Sequence, residues 1–248
     1  MSLTLATTTP GEPEIFPSLQ GEGPSVGRPC VFVRLSRCNL ACRWCDTAYT
    51  WRFTGDIRPH RDGVTYERNE NQITLDVREV AMRILALRPA RLVITGGEPL
   101  LQAPALTKLI PMLKEAVPAL EVEIETNGSV PPPHAITQLV DQFNVSPKLS
   151  HSGNDHSLAL VPELLREWAA SQKAWFKFVV ADEDDLNEIA ELQALYGIPP
   201  ERLFVMPEGT SSEVLRERSK WLAGAALTHG WRFTDRLHIH LYGDKRGT

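Results

Sequence analysis

A chain of 248 residues with 42% hydrophobic content is long enough to bury roughly 70–75% of the surface its unfolded form exposes. Its 26 Lys and Arg against 31 Asp and Glu leave a formal charge of −5, which argues against a phosphate-backbone binder. No apolar run approaches the ~18 residues that cross a bilayer, and the opening MSLTLATTTPGEPE carries neither a basic nor an apolar leader region. The expectation is one cytoplasmic domain, residues 1–248, with no membrane or nucleic-acid partner.

From the N-terminus, the first β-branched run is VFVRL at 31–35, which predicts a strand. A polar stretch without period follows at 56–71 and reads as a surface insertion. Helices and strands then alternate: helix 75–87, strand 92–95, helix 105–117, strand 122–126, helix 134–142, strand 143–146, helix 158–171, strand 175–180, helix 186–196, strand 203–206 and helix 212–229. A last strand is predicted at 237–242 (LHIHLY), before the tail 243–248. Prolines at 131–133 and 162 suit first helical turns. This alternation predicts an α/β fold with a parallel sheet, either open and doubly wound or a partial barrel. Both architectures place ligands at the C-terminal strand ends. The unusual segments 38–45, 96–99, 127–128, 146–148 and 207–209 all end or follow strands, so they are expected to meet at one rim.

Three of the four cysteines, Cys38, Cys42 and Cys45, lie within eight consecutive residues, a spacing that brings three thiolates to one inorganic centre. A structural zinc site and an electron-carrying [4Fe–4S] cluster each want four protein ligands. The remaining Cys30 begins the strand whose far end launches the loop, and five or six residues of strand put it roughly 17–20 Å away. A three-cysteine cluster leaves one iron open to an outside ligand, which is a catalytic arrangement. Zinc and incidental buried thiols are the competing readings.

Alternation also assigns faces. In VFVRL, Val31, Val33 and Leu35 share one side, Phe32 and Arg34 the other. An inward Arg34 needs an anion, either a ligand carboxylate or a buried glutamate. Glu123 and Glu125 alternate with Val122 and Ile124 and should face the same interior. Glu125 is a candidate for that ion pair or for a cofactor. Lys177 in WFKFVV reads as solvated or snorkelling. His238 and His240 would share one strand face, without a third ligand nearby to make a metal site.

CxxxCxxC after a first strand resembles the signature of the radical S-adenosylmethionine superfamily, whose fold is a partial (β/α)6 barrel. The resemblance implies a [4Fe–4S] cluster on Cys38, Cys42 and Cys45, with S-adenosyl-L-methionine on the open iron. It also implies one-electron cleavage of that cofactor to a 5′-deoxyadenosyl radical. Thr95-Gly96-Gly97-Glu98-Pro99 looks like the superfamily's GGEP motif, which implies that Gly97 and Glu98 receive the methionine amino group. Glycines allow close backbone approach, and a carboxylate accepts from an ammonium.

A narrower resemblance is to the 7-carboxy-7-deazaguanine synthases of queuosine and deazapurine biosynthesis. It rests on SLQGEG (18–23), WCDT (44–47), the GGEP segment, IETNG (124–128), VSPK (145–148) and the tail from Leu237 and His238 to Tyr242 and GDKRG. It implies a carbon–nitrogen lyase that converts 6-carboxy-5,6,7,8-tetrahydropterin to 7-carboxy-7-deazaguanine with loss of ammonia, starting from removal of the C6 hydrogen. Magnesium would sit at Thr47. Substrate contacts would come from Leu19, Gln20, Gly21, Glu22, Arg34, Thr95 and His238. S-adenosylmethionine contacts would come from Trp44, Asp46, Gly97, Glu98, Glu125, Ser146, Pro147, Lys148, Met206 and Pro207. A flavodoxin- or ferredoxin-type reductase and a homodimer are implied as well. The shared motifs do not explain the stretch 51–71, which is expected to cover the site or select the reductase. A glycyl-radical activating enzyme and a noncatalytic iron–sulfur or zinc module are the rival readings, and SLQGEG with GDKRG argues against the first.

Overall fold

Segments with alternating apolar residues pair into one sheet of 11 strands. The computed structural model describes Met1–Thr248. Its elements run β1 (Ser2–Thr9), β2 (Glu12–Pro13), β3 (Ile15–Leu19), β4 (Pro29–Leu35), α1 (Arg68–Asn71), β5 (Gln72–Asp76), α2 (Val77–Ala86), β6 (Arg91–Gly96), α3 (Ala103–Ala116) and β7 (Glu121–Thr126). They continue with α4 (His134–Leu139), β8 (Gln142–Val145), α5 (His156–Ala159), α6 (Pro162–Ala170), β9 (Ala174–Val180), α7 (Asp184–Tyr196), β10 (Leu203–Pro207), α8 (Ser212–His229), β11 (Arg232–Phe233) and α9 (Leu237–Tyr242).

β4, β6, β7, β8, β9 and β10 are parallel neighbours in that order, each reached through a helical crossover. β11 ends one side of the sheet and the antiparallel β1 and β2 end the other. The barrel is therefore partial and open. Val31, Val33 and Leu35 of β4 join a core of 46 buried residues. Leu106, Leu109 and Ile110 of α3 lie in the same core, each contributing about 1.5–3 kcal/mol by burial. Phe32 faces the other way, where it stacks on Phe16 at 5.4 Å and closes a small apolar floor with Cys30 and Val93.

Four sequence expectations change. The sequence reading has no strand before residue 31 and none at 72–76, yet β1, β3 and β5 form an antiparallel extension beside β4. α2 accordingly begins at Val77, where Asp76 caps it by accepting from Arg78 N. The helix expected over 158–171 is split into α5 and α6, because Pro162 has no N–H to continue a helix and instead opens a new one. The strand expected at 237–242 is α9. Its backbone is satisfied locally, with Ile239 N donating to Arg236 O and Gly243 N to Ile239 O, while Leu237 N reaches Gly21 O. Only Ile239 of this helix is buried, so alternation misread its period.

Candidate active site

The C-terminal ends of the six parallel strands surround a cavity of about 380 Å³. Strand alternation decides what lines it: Arg34 from β4, Thr95 from β6, Glu125 from β7, Asn144 from β8, Lys177 from β9 and Met206 from β10. The last residue of β10 adds Pro207, loops beyond the strand ends add the three clustered cysteines, Ser146 and Lys148, and the end of β3 with the residues after it adds Leu19, Gln20, Gly21 and Glu22. Every predicted site residue borders this cavity except Glu98 and Pro147.

Burial raises the clustered thiols, Cys38 to about 12, Cys45 to about 11, and Cys42 in the same direction. An N–H already faces each sulfur. Asn154 Nδ2 lies 3.2 Å from Cys42 Sγ, Trp51 Nε1 3.4 Å from Cys45 Sγ, and Asn127 Nδ2 3.9 Å from Cys38 Sγ. Thiols shielded from water, with N–H donors and only Lys148 acting on Cys42 as a nearby cation, become thiolates when a metal supplies the positive charge, so this donor set fits iron-bound sulfur. Cys30 stands apart, its thiol donating to the Ser18 carbonyl at 3.6 Å.

The two glycines of the GGEP segment serve backbone packing. A Cβ at Gly96, whose φ is +135°, would lie 2.0 Å from Leu35 O, and one at Gly97 would lie 2.0 Å from Arg37 O. Gly97 N and Glu98 N donate to these same two carbonyls at 3.0 and 2.9 Å. Glu98 is completely buried behind the cavity wall. Its carboxylate accepts from Leu100 N at 2.9 Å, Thr126 Oγ1 at 2.9 Å and Asn127 N at 2.8 Å. Burial pushes its carboxyl up to about 7, against the pull of those donors. Glu98, expected at the cofactor's amino group, here has its acceptor sites engaged in tying the end of β6 to the end of β7.

The rest of the lining is charged and paired. Glu22 accepts from Lys177 Nζ and, at 3.0 Å, from Arg236 Nε. Arg236 also donates to Asp46 of the cysteine loop and to Gly209 O at 2.6 Å. Burial opposes charge on Glu22, but Lys177, Arg236 and His238 outweigh it and hold the carboxyl well below its ordinary value. Burial likewise opposes charge on Lys177, which Glu22 and Glu125 keep protonated above the usual lysine range. Lys177 is thus a buried member of the site, not the solvated lysine expected. His238 sits 3.9 Å from Glu22 Oε1, with its pKa lowered by burial. A Cβ at Gly21 would fall 2.2 Å from His238 Nδ1, so this approach requires glycine.

Arg34 points inward as alternation predicts, and its anion in the protein is the buried Glu14, at 2.8 Å from Nε. Tyr49 Oη donates to both Glu14 oxygens, at 3.1 and 2.9 Å. Glu125 accepts from Gln20 Nε2 at 3.2 Å and Thr95 Oγ1 at 2.9 Å. Glu123 lies below, bound by Gln20, Asn144 and Arg91. Neither glutamate pairs with Arg34. Sequence reasoning missed Glu14, Tyr49 and Arg236. Arg236 adjoins the family-like tail, which was the available signal; Glu14 had none.

Thr47 borders the cavity, and its hydroxyl has only the Cys45 thiol, at 3.6 Å, as a hydrogen-bond contact. Lys148 Nζ donates to Ser146 Oγ at 2.8 Å and lies 5.6 Å from the Trp44 ring centroid. His238 and His240 part company on α9, the latter pairing with Asp235 at 3.1 Å outside the cavity. The insertion is largely exposed, yet Tyr66 reaches the cavity and His60 Nε2 lies 2.8 Å from the Cys45 carbonyl. The tail folds back over the same opening. Arg246 lies 3.6 Å above the Tyr49 ring and donates to Asn71 Oδ1 at 2.8 Å.

Comparison with known proteins agrees with this geometry. A sequence model of the Radical SAM superfamily matches residues 33–179, from the strand before the cysteine loop through β9. The 7-carboxy-7-deazaguanine synthase of Pyrobaculum aerophilum is 39% identical over 236 residues, covering 94% of this chain and 95% of that protein. That of Hyperthermus butylicus is 36% identical, covering 91% and 90%. The crystal structure of QueE from Escherichia coli shares the fold with a TM-score of 0.67, at 24% identity and 95% coverage of each chain. The chain belongs to the radical SAM superfamily and, within it, to the 7-carboxy-7-deazaguanine synthase family.

Proposed function

We propose that this chain converts 6-carboxy-5,6,7,8-tetrahydropterin to 7-carboxy-7-deazaguanine with loss of ammonia. One observation carries the reading: a single cavity joins the three clustered thiols to a polar, charge-balanced wall of Gln20, Glu22, Arg34, Thr95 and Lys177. Cys38, Cys42 and Cys45 would hold a [4Fe–4S] cluster, and Trp44, Gly97, Ser146, Lys148, Met206 and Pro207 would line the place of S-adenosylmethionine. When bound, the cluster and S-adenosylmethionine supply one-electron cleavage to a carbon radical that removes a substrate hydrogen.

The protein's part is to bind, orient and exclude water. Arg34 gives its Nε to Glu14, which leaves two terminal nitrogens for the planar, bidentate recognition of a carboxylate. Gln20, Glu125 and Thr95 form a hydrogen-bonded row that offers both donors and acceptors to a pterin edge. The Thr47 hydroxyl would ligate magnesium, a hard cation that takes oxygen ligands and few from the protein. Arg246 and Tyr66 narrow the opening against water.

Two further parts of the proposal rest on the family resemblance: a flavodoxin- or ferredoxin-type electron donor and a homodimer. No helix is long and apolar enough to cross a membrane. The test is anaerobic turnover by reconstituted protein of 6-carboxy-tetrahydropterin and, separately, of tetrahydropterin lacking the carboxylate. Mass spectrometry should find 7-carboxy-7-deazaguanine from the first and no 7-deazaguanine from the second. Formation of 5′-deoxyadenosine with no deazaguanine would retain the radical chemistry and remove this substrate.

A further inference from the structure

All three N–H contacts to the clustered sulfurs come from side chains outside the cysteine motif, and those of Asn154 and Trp51 are the two shorter ones, each fixed by its surroundings. Asn154 Oδ1 accepts from Ala41 N at 2.8 Å, which sets the orientation of the amide. Its Nδ2 must then face the other way, and its two hydrogens go to Ser152 Oγ at 3.0 Å and Cys42 Sγ at 3.2 Å. The segment carrying Asn154 is itself tied to the cysteine loop, since Arg43 N donates to Ser152 O at 2.9 Å. A Cβ at Gly153 would lie 2.4 Å from the Arg43 side chain, so the two loops are in contact.

Cys45 is held from the other side. Trp51 is buried and directs Nε1 at Cys45 Sγ from 3.4 Å. Arg58 lies 4.7 Å from the Trp51 ring centroid, and His60 packs edge-on against that ring while its Nε2 lies 2.8 Å from Cys45 O. The stretch 51–60, which the shared motifs left unexplained, therefore grips Cys45 at both its sulfur and its carbonyl. Asn127 differs: its Nδ2 donates to Asn39 Oδ1 at 2.9 Å and is 3.9 Å from Cys38 Sγ.

An N–H donor to a cluster sulfur stabilises the reduced cluster more than the oxidised one, because reduction adds negative charge that spreads onto the sulfurs. We propose that Asn154 and Trp51 are positioning residues that raise the reduction potential of an iron–sulfur cluster by donating hydrogen bonds to the Cys42 and Cys45 sulfurs. The inference rests on the proposed function, because it needs the cluster to be there. It assigns a role to the 51–60 stretch beyond covering the site: this stretch makes the cluster easier to reduce.

The test compares the reconstituted parent protein with Trp51→Phe, which keeps the aromatic packing without the N–H, and Asn154→Asp, which keeps the acceptor for Ala41 N but loses the donor. Redox titration followed by electron paramagnetic resonance reads the potential. Both variants should shift it to more negative values, Asn154→Asp the more because it also adds a negative charge. The reduced parent should also show exchangeable-proton couplings that disappear in deuterated water and weaken in each variant. A loose cysteine loop would lower iron content without moving the potential of the clusters that remain.

If one variant takes up no iron, the other variant and the proton couplings of the parent still decide. A parent that binds a cluster, shows no such couplings and keeps its potential in the variants overturns the hydrogen-bond assignment alone. A parent that forms no cluster overturns the proposed function and this inference together.

Discussion

The lining of the cavity has two parts built on opposite principles. Around Cys38, Cys42 and Cys45 the protein supplies neutral N–H donors and one nearby cation, Lys148, acting on Cys42, so most of the negative charge of three thiolates has to be balanced by whatever they bind. Around Glu22, the charges are already balanced among Lys177, Arg236 and Asp46. The first part is completed by its metal centre; the second is organised before any ligand arrives, which spares reorganisation when a polar substrate binds. Asp46, one residue after Cys45, joins the two through Arg236.

Substitutions should separate these principles. The largest effect is expected for Cys42→Ala, which should leave no catalytically competent cluster and no detectable product, measured by iron content and mass spectrometry. With both proteins metal-free, the thermal unfolding temperature should move little, since the substitution then removes only a weak N–H···S contact. Glu22→Ala should do the reverse in kind, costing about 3–5 kcal/mol in urea unfolding because two buried cations lose their partner. Its pH dependence has a fixed sign. The folded carboxyl is held below its ordinary 4.5, so its stabilising effect is complete above that value and is lost as the pH falls through the folded-state pKa. Glu22→Gln should abolish that acid-side loss.

Arg34→Lys tests whether the charged part recognises a carboxylate. Charge is kept and the planar fork is lost, so KM for the carboxylated pterin should rise about 10–100-fold with a smaller change in kcat. Glu98→Gln should cost about 1–3 kcal/mol of stability, because an amide NH2 would face one of the N–H groups that Glu98 now accepts from. S-adenosylmethionine affinity, measured by calorimetry, should change little if these bonds are the whole role of Glu98; a large loss would mark it as a direct ligand. The smallest effect is expected for Arg246→Ala, which removes a stacking contact worth about 0.5–2 kcal/mol. The tail should become sensitive to limited proteolysis at unchanged global stability.

How much of this was legible in the sequence follows from the range of each interaction. The parallel strands and their polar ends could be read because each is a local signal: an apolar run, then Cys, Gly or Ser-Pro-Lys at its end. Arg34's inward direction followed from strand alternation alone. The Lys177–Glu22 and Arg236–Glu22 pairs join residues 155 and 214 positions apart, and no local pattern marks a lysine as paired. The same limit hid Glu14 from Arg34. β1 and β5 pair across about 70 residues, so their strand character rests on a partner that propensity does not see. In 237–242, alternating histidines imitated a strand where only one side chain is buried. The packing role of the GGEP glycines was not legible, because the backbone they approach is that of Leu35 and Arg37, which only the fold brings near.

On the proposed function, the two parts of the cavity act on one carboxylated pterin, with the cofactor used repeatedly. This is tested most directly by counting products in anaerobic turnover with 6-carboxy-tetrahydropterin, S-adenosylmethionine, magnesium and a reductant. The expected result is 7-carboxy-7-deazaguanine in large molar excess over S-adenosylmethionine consumed. No deazaguanine from protein with an intact cluster and active cofactor cleavage would contradict it.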